Sequence, residues 1–364
     1  MIIHMSKEAT PEQTKAVFRR IEAKDAKYEV IHGTTGINVI GVLGDMSRVE
    51  ESYFSELDGV EKVIRISKTY KQISRQYAHE GRIRDKETRA IRVKDAVIGG
   101  SSLAVMAGPC SVESREQARA IAAYIKDTGV PIMRGGAYKP RTSPYSFQGM
   151  GEEGLRVLEE IRQEYGLAVV TEATGQHRHV KPDGSQEERT VLENVVAFAD
   201  IVQVGARNMK SYGFLQELAM LTRDRQTPVM LKRGESSTLE DFLLAAEYIV
   251  ANGNPNVMLC LRGIRTFEEG KFQRYTADIG AIPVLKRETL LPIVFDPSHA
   301  TGYRRNVEAV ALAAVAAGAD ALLIETHSDP TRALCDGEQC VTEEQLRALL
   351  RRASAVRDAL NQAE

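Results

Sequence analysis

The chain has 364 residues, and its 48 Lys and Arg stand against 50 Asp and Glu for a formal charge of −2. So small a charge gives no global drive toward nucleic acid or anionic lipid, and 43% hydrophobic with 27% charged residues excludes wholesale disorder. There is no apolar run near the ~20 residues a bilayer demands, no secretory signal in MIIHMSKEAT and, with four Cys, no disulfide framework, so the expected setting is the reducing cytoplasm.

Ile2–Met5 reads as a short apolar strand, and Thr10-Pro11-Glu12 as a helix start with Pro in the first turn. Ala16, Val17, Ile21 and Ala23 then set one apolar helical face. Tyr28–His32 and Ile37–Leu43 are strand-like runs around Gly33-Thr34-Thr35-Gly36, the spacing of a hairpin loop. Val49–Leu57 predicts a second helix, ended by Asp58-Gly59, and Val60–Ile66 a fourth strand. The order βαββαβ is the ferredoxin-like arrangement. Residues 1–75 are thus expected to form a small ferredoxin-like domain of the kind often used for regulation, a role the fold alone does not establish. Lys68–Lys94 is rich in Arg, Lys and Glu and reads as a solvated connector, while Ile91–Gly100 suggests a short hairpin. Residues 76–100 are therefore expected to be a charged linker with that hairpin.

From Leu103 onward the pattern is regular. Apolar, β-branched runs occur at Leu103–Met106, Pro131–Met133, Ala168–Val170, Ile201–Val204, Val229–Leu231, Val257–Leu261, Pro292–Phe295 and Ala321–Ile324. Amphipathic segments such as Ser114–Lys126, Glu152–Tyr165, Thr238–Ala251 and Asn306–Ala317 lie between them. Continuous apolar strands alternating with helices imply a parallel sheet covered on both sides. Eight such units, with no Gly-rich dinucleotide turn, imply an α/β fold of the (β/α)8 TIM-barrel type over 101–364 and not an open doubly wound sheet. A bare barrel takes about 250 residues, so the excess falls mostly in the N-terminal part.

Active sites of such barrels lie at the strands' C-terminal ends. Arg134, Lys139, Arg141, Arg207, Lys232 and Arg262 all follow barrel strands. Like charges gathered at one mouth repel unless anions neutralise them, and Arg and Lys suit phosphate and carboxylate. A multiply anionic ligand is expected. Cys110, His299, Glu325 and Asp336 follow strands one, seven and eight, which become neighbours when the barrel closes. One sulfur, one imidazole and two carboxylates make a set for a divalent transition metal, without deciding among Mn, Fe, Co and Zn.

The segments AGPCS (107–111), RGGAYKPRTSPYSFQG (134–149), GARN (205–208), LKRG (231–234), LRGIRTFE (261–268), DPSHATG (296–302), IETHSDP (324–330) and CDG (335–337) closely resemble 3-deoxy-D-arabino-heptulosonate 7-phosphate (DAHP) synthase. The likeness covers about 95–355, is strongest to the type Iβ subclass, and extends to the ferredoxin-like regulatory domain that some of its members carry. It implies the first step of the shikimate pathway, condensation of phosphoenolpyruvate with erythrose 4-phosphate and release of phosphate. By the resemblance, Cys110, His299, Glu325 and Asp336 ligate the metal, a Lewis acid toward the aldehyde oxygen. Arg134, Lys139, Arg207, Lys232 and Arg262 hold phosphoenolpyruvate, and Arg141 and Thr142 meet the erythrose phosphate, with Arg304 a secondary candidate. Lys139 is placed to protonate the developing alkoxide. The family further implies a homotetramer with Tyr or Phe as feedback inhibitor at the N-terminal domain.

Some residues depart from the pattern. Cys335 stands where Ser is usual, so an oxidative Cys110–Cys335 bridge is expected to compete with an inert role. His177 and His179 lie in a polar stretch, 175–189, read as a solvated loop in preference to a second metal site. Ser236 or Ser237 is the expected cap of the helix after strand five. The nearest competing activity is 3-deoxy-D-manno-octulosonate 8-phosphate synthase, which uses arabinose 5-phosphate. A non-catalytic sugar-phosphate sensor is the remote one, and it has no need of a metal set.

Overall fold

The computed structural model describes the chain except residues 33–37, 45, 47, 66–68, 76–86, 141–142, 144, 182, 269 and 363–364. The Gly33–Gly36 loop and most of the charged connector therefore lie outside the described residues. The chain divides into two compact units, Met1–Arg82 and Ile83–Glu364.

In the first unit, β1 (Ile2–Met5), β2 (Lys27–His32), β3 (Asn38–Leu43) and β4 (Val60–Ile64) form an antiparallel sheet in the order β2-β3-β1-β4. Helix α1 (Pro11–Glu22) begins in a capping box: the Thr10 hydroxyl accepts from the Gln13 N–H, and the Gln13 side chain accepts from the Thr10 N–H. Such a cap is worth about 1 kcal/mol. Its Val17 and Ile21 join Ile3, Met5, Ile40 and Phe54 in one core, whereas Ala23, expected on that face, is an exposed C-cap. The second helix, α2 (Ser52–Ser55), is a single turn where 49–57 was expected. Its start has no side-chain cap, and Phe54 is its one fully buried residue, with Val49, Tyr53 and Leu57 packed partly buried against the same core. The βαββαβ order nevertheless stands.

In the second unit, β5 (Ile91–Val93) and β6 (Ala96–Ile98) make the expected hairpin. Its Ile91, Val93, Ala96 and Ile98 belong to the barrel core, clustered with Ala104, Ile132, Ile201 and Met258. The Arg89 N–H donates to the Leu290 carbonyl and Lys94 donates to the Leu167 carbonyl. These acceptors precede barrel strands, so the hairpin covers the barrel's N-terminal end and leaves the other end open.

Eight parallel strands follow: β7 (Ala104–Gly108), β8 (Ile132–Arg134), β9 (Ala168–Ala173), β10 (Ile201–Val204), β11 (Val229–Lys232), β12 (Val257–Leu261), β13 (Ile293–Phe295) and β14 (Ala321–Glu325). They close into a barrel through the pairing of β14 with β7, where Glu325 sits opposite Gly108. All eight fall where the apolar runs place them. Around them run α3 (Arg115–Asp127), α4 (Glu152–Tyr165), α5 (Val191–Phe198), α6 (Tyr212–Arg223), α7 (Leu239–Ala251), α8 (Ala281–Glu288), α9 (Pro297–Thr301), α10 (Arg304–Ala316) and α11 (Glu343–Gln362). Thr238, and neither Ser236 nor Ser237, caps α7. Asp241 stands three residues after Thr238 and completes a capping box that neither serine has in register. No helix among the described residues is long and apolar enough to cross a membrane.

Candidate active site at the open end of the barrel

Strands β8, β11 and β14 end in Arg134, Lys232 and Glu325, while Cys110 and Arg262 lie just beyond β7 and β12. All five side chains are buried. A buried charge is tolerated only with partners, and each cation named next has one. Arg134 donates to Glu325 Oε1 at 2.6 Å and to the Cys110 carbonyl at 3.3 Å. Lys232 donates to the buried Asp296 carboxylate, and Lys139 Nζ to the Cys110 carbonyl at 3.1 Å. Arg134, Lys139, Arg207, Lys232 and Arg262 line one cavity of about 340 Å³ whose wall includes His299 and Asp336. Arg304 opens α10 and is not among the residues lining it. Arg141 and Thr142 lie outside the described residues.

The expected metal donors meet at the seam of β14 and β7. Cys110 Sγ lies 2.7 Å from Cys335 Sγ and 3.3 Å from Asp336 Oδ2. His299 Nε2 lies 3.7 Å from Glu325 Oε1 and 3.9 Å from Asp336 Oδ2. The donors form two triads, Cys110–Cys335–Asp336 and His299–Glu325–Asp336, each with its atoms within 4.8 Å, and Asp336 is their common corner. Its backbone is left-handed, with φ of 54°, a strain of roughly 1 kcal/mol or more for a residue with a side chain. Two thiols, an imidazole and two carboxylates fit a divalent transition metal.

The electrostatics are consistent with cation binding. Burial would raise Asp336, yet the charges of His299, Arg274 and Lys139 hold it well below the carboxylate range. Against burial, His299 and Arg134 lower Glu325 as well. Burial lowers His299 in spite of Asp296. Asp296 Oδ2 is 2.8 Å from Nδ1, off the line of an ideal hydrogen bond. A carboxylate there favours the proton on Nδ1 and turns the Nε2 lone pair toward Glu325 and Asp336. The bond between the two thiols raises Cys110 and lowers Cys335.

Other residues of the cavity were not expected. Glu172, Gln203, Glu235, Arg274 and Tyr275 line it too. Gln203 donates to Glu172 at 2.9 Å. Gln339 donates to Glu325 and accepts from Arg274 at 3.0 Å. Polar residues inside the apolar β9 and β10 runs were a usable signal for Glu172 and Gln203. The segment with Arg274 and Tyr275 has no periodicity that marks it.

The stretch 175–189 is largely exposed, as a solvated loop was expected to be, but it is anchored at one residue. Its Glu187 is buried and accepts from the Tyr138 hydroxyl at 2.7 Å, the Asn194 amide at 2.9 Å and the Glu152 N–H at 2.9 Å. It serves the start of α4, where Gly151 has no side chain to offer. His179 meets Tyr138 edge-on at 5.3 Å, and neither His177 nor His179 belongs to a donor triad among the described residues.

The chain is similar along its whole length to proteins of known name. The model of the DAHP synthetase I family matches residues 82–362, and that of the DAHP synthase ferredoxin-like domain matches residues 1–68. A phospho-2-dehydro-3-deoxyheptonate aldolase of Thermotoga maritima is 41% identical over 360 residues, which cover 99% of this chain and 98% of that one. A 2-dehydro-3-deoxyphosphooctonate aldolase of Methylococcus capsulatus is 31% identical over 266 residues, 68% of this chain and 86% of that one. The crystal structure of the Thermotoga maritima DAHP synthase superposes with a TM-score of 0.72 at 40% identity, covering 99% of this chain and 97% of that one.

Proposed function

The chain belongs to the DAHP synthetase I family, and on that premise we propose that it condenses phosphoenolpyruvate with D-erythrose 4-phosphate to DAHP and inorganic phosphate. The observation that carries this reading is the cavity in which five cations share a wall with His299 and Asp336, the latter common to both donor triads. Bis-anionic phosphoenolpyruvate, held by Arg134, Lys139, Arg207, Lys232 and Arg262, neutralises charges that otherwise repel. Arg141 and Thr142 are proposed to bind the erythrose phosphate, with Arg304 a secondary candidate.

Cys110, His299, Glu325 and Asp336 would hold a divalent metal. Once bound, it supplies Lewis acidity toward an aldehyde oxygen. C3 of phosphoenolpyruvate forms the new bond to the aldehyde carbon, and positive charge develops at C2. Water adds to C2, loses a proton, and the phosphohemiketal then expels phosphate. Lys139 delivers a proton to the oxygen of the former aldehyde. Burial would lower the Lys139 pKa, but the anionic groups around it raise it above the usual lysine value, so the amine carries the proton that a general acid gives up.

The test is phosphate release with erythrose 4-phosphate and with arabinose 5-phosphate, each with and without chelator. Release with the four-carbon sugar, abolished by chelator and restored by Mn²⁺, is the expected result. Turnover with arabinose 5-phosphate alone would transfer the assignment to the octulosonate activity, to which the Methylococcus capsulatus relative belongs by name. Loss of no phosphate in any arm would favour a sensor. We further propose that the N-terminal unit receives Tyr or Phe as feedback inhibitor, that the enzyme is a homotetramer, and that it works in the cytoplasm. The match of that unit to a DAHP synthase ferredoxin-like domain supports the first of these.

A further inference from the structure

The loop between β12 and α8 brings Arg274 and Tyr275 into the cavity wall. The fold makes room for both. The Arg274 and Tyr275 N–H groups donate to the Thr301 and Ala300 carbonyls at 2.9 and 3.1 Å, and Thr276 exchanges backbone bonds with Ile264. Gly263, at φ +85°, and Gly302, at φ +73°, are the residues they press on. A Cβ on Gly263 would come within 2.8 Å of Tyr275 Cβ, and one on Gly302 within 2.4 Å of Arg274 Cβ. Both glycines are thus required by backbone conformation and by close approach together.

The Tyr275 ring lies under the Arg262 guanidinium, with Cζ 4.2 Å from the ring centroid. Arg262 is buried at the cavity wall. A guanidinium held against an aromatic ring by cation–π attraction is fixed in orientation, and its N–H groups suit a planar or tetrahedral anion. On the other side Arg274 donates to Gln339 at 3.0 Å and lies 3.5 Å from Asp336 Oδ1. One short segment therefore braces an anion-binding arm and the common corner of the donor triads.

We propose that Tyr275 is a positioning residue that acts through Arg262, holding its N–H edge toward the anionic group of phosphoenolpyruvate. The proposal rests on the reading of Arg262 as a phosphoenolpyruvate ligand. The ring face carries the proposed hold on Arg262, and Arg262 also draws the Tyr275 hydroxyl pKa down against burial.

Tyr275→Leu and Tyr275→Phe in the full chain test the idea, by phosphate-release kinetics and by calorimetric binding of phosphoenolpyruvate. Leu is expected to raise the KM and the Kd for phosphoenolpyruvate roughly five- to thirty-fold, the equivalent of about 1–2 kcal/mol of cation–π attraction in a desolvated site. The KM for erythrose 4-phosphate and kcat should move by less than about threefold. Phe keeps the ring and should restore phosphoenolpyruvate affinity. Wild-type affinity in Tyr275→Leu overturns the proposal, as does a Phe variant no better than Leu. An equal rise in both KM values with a lowered melting midpoint also overturns it, since that marks a merely structural role. A wild-type chain that neither binds phosphoenolpyruvate nor releases phosphate overturns the functional reading itself.

Discussion

Asp336 places Oδ2 3.3 Å from the Cys110 sulfur and 3.9 Å from the His299 imidazole, while Oδ1 lies 3.5 Å from Arg274. Asn keeps its size and tolerates the same left-handed backbone but offers no charge. Asp336→Asn should therefore fold normally and lose at least about tenfold in Mn²⁺ affinity, measured by competition with a chromogenic chelator. Lys139 gives the complementary expectation. Lys139→Met should cut kcat by roughly 10²- to 10⁴-fold, the range of general acid catalysis, and move metal affinity far less. Wild-type turnover would end the assignment. The two thiols make a third case. Their sulfurs are 2.7 Å apart, against about 2.05 Å in a disulfide. Peroxide, acting as the two-electron oxidant, should link Cys110 to Cys335 in metal-free protein, with loss of two thiols on titration. Cys335→Ser should abolish that loss. Unchanged thiol content after peroxide would show the pair to be inert.

Among the elements, the β5–β6 hairpin and the start of α4 separate stability from chemistry. Ile98 is fully buried in the barrel core, far from the open end, so Ile98→Ala should cost about 2–5 kcal/mol with KM values unaltered. Urea denaturation followed by circular dichroism reads this directly. The eight barrel strands were legible because a strand buried on both faces is an uninterrupted apolar run. Cys110, His299, Glu325 and Asp336 were legible as a group because they follow adjacent strands. What escaped was decided by tertiary packing. Val49–Leu57 has the composition of a helix, but only Phe54 of the turn that forms is buried. Glu187 sits in a polar stretch like many solvated ones, and only the fold brings Tyr138, Asn194 and the Glu152 N–H to it. Tyr275 gained its meaning from a glycine twelve residues earlier, a relation with no local signature.

Across the whole molecule, the formal charge of −2 averages over a strongly cationic cavity. The excess length beyond a bare barrel resolves into the separate unit Met1–Arg82 and the hairpin that closes the barrel floor. Removing residues 1–82 should leave phosphate release intact and abolish inhibition by Tyr or Phe; inhibition that survives the deletion would move the effector site into the barrel. Finally, the seam between β14 and β7 joins candidate donors that lie far apart in the chain. Cys110 and Asp336 are separated by 226 positions, and a chain emerging from the ribosome presents its thiol long before its carboxylates exist. On the proposed ligand set, a chain that ends short of residue 336 lacks the corner that both donor triads share.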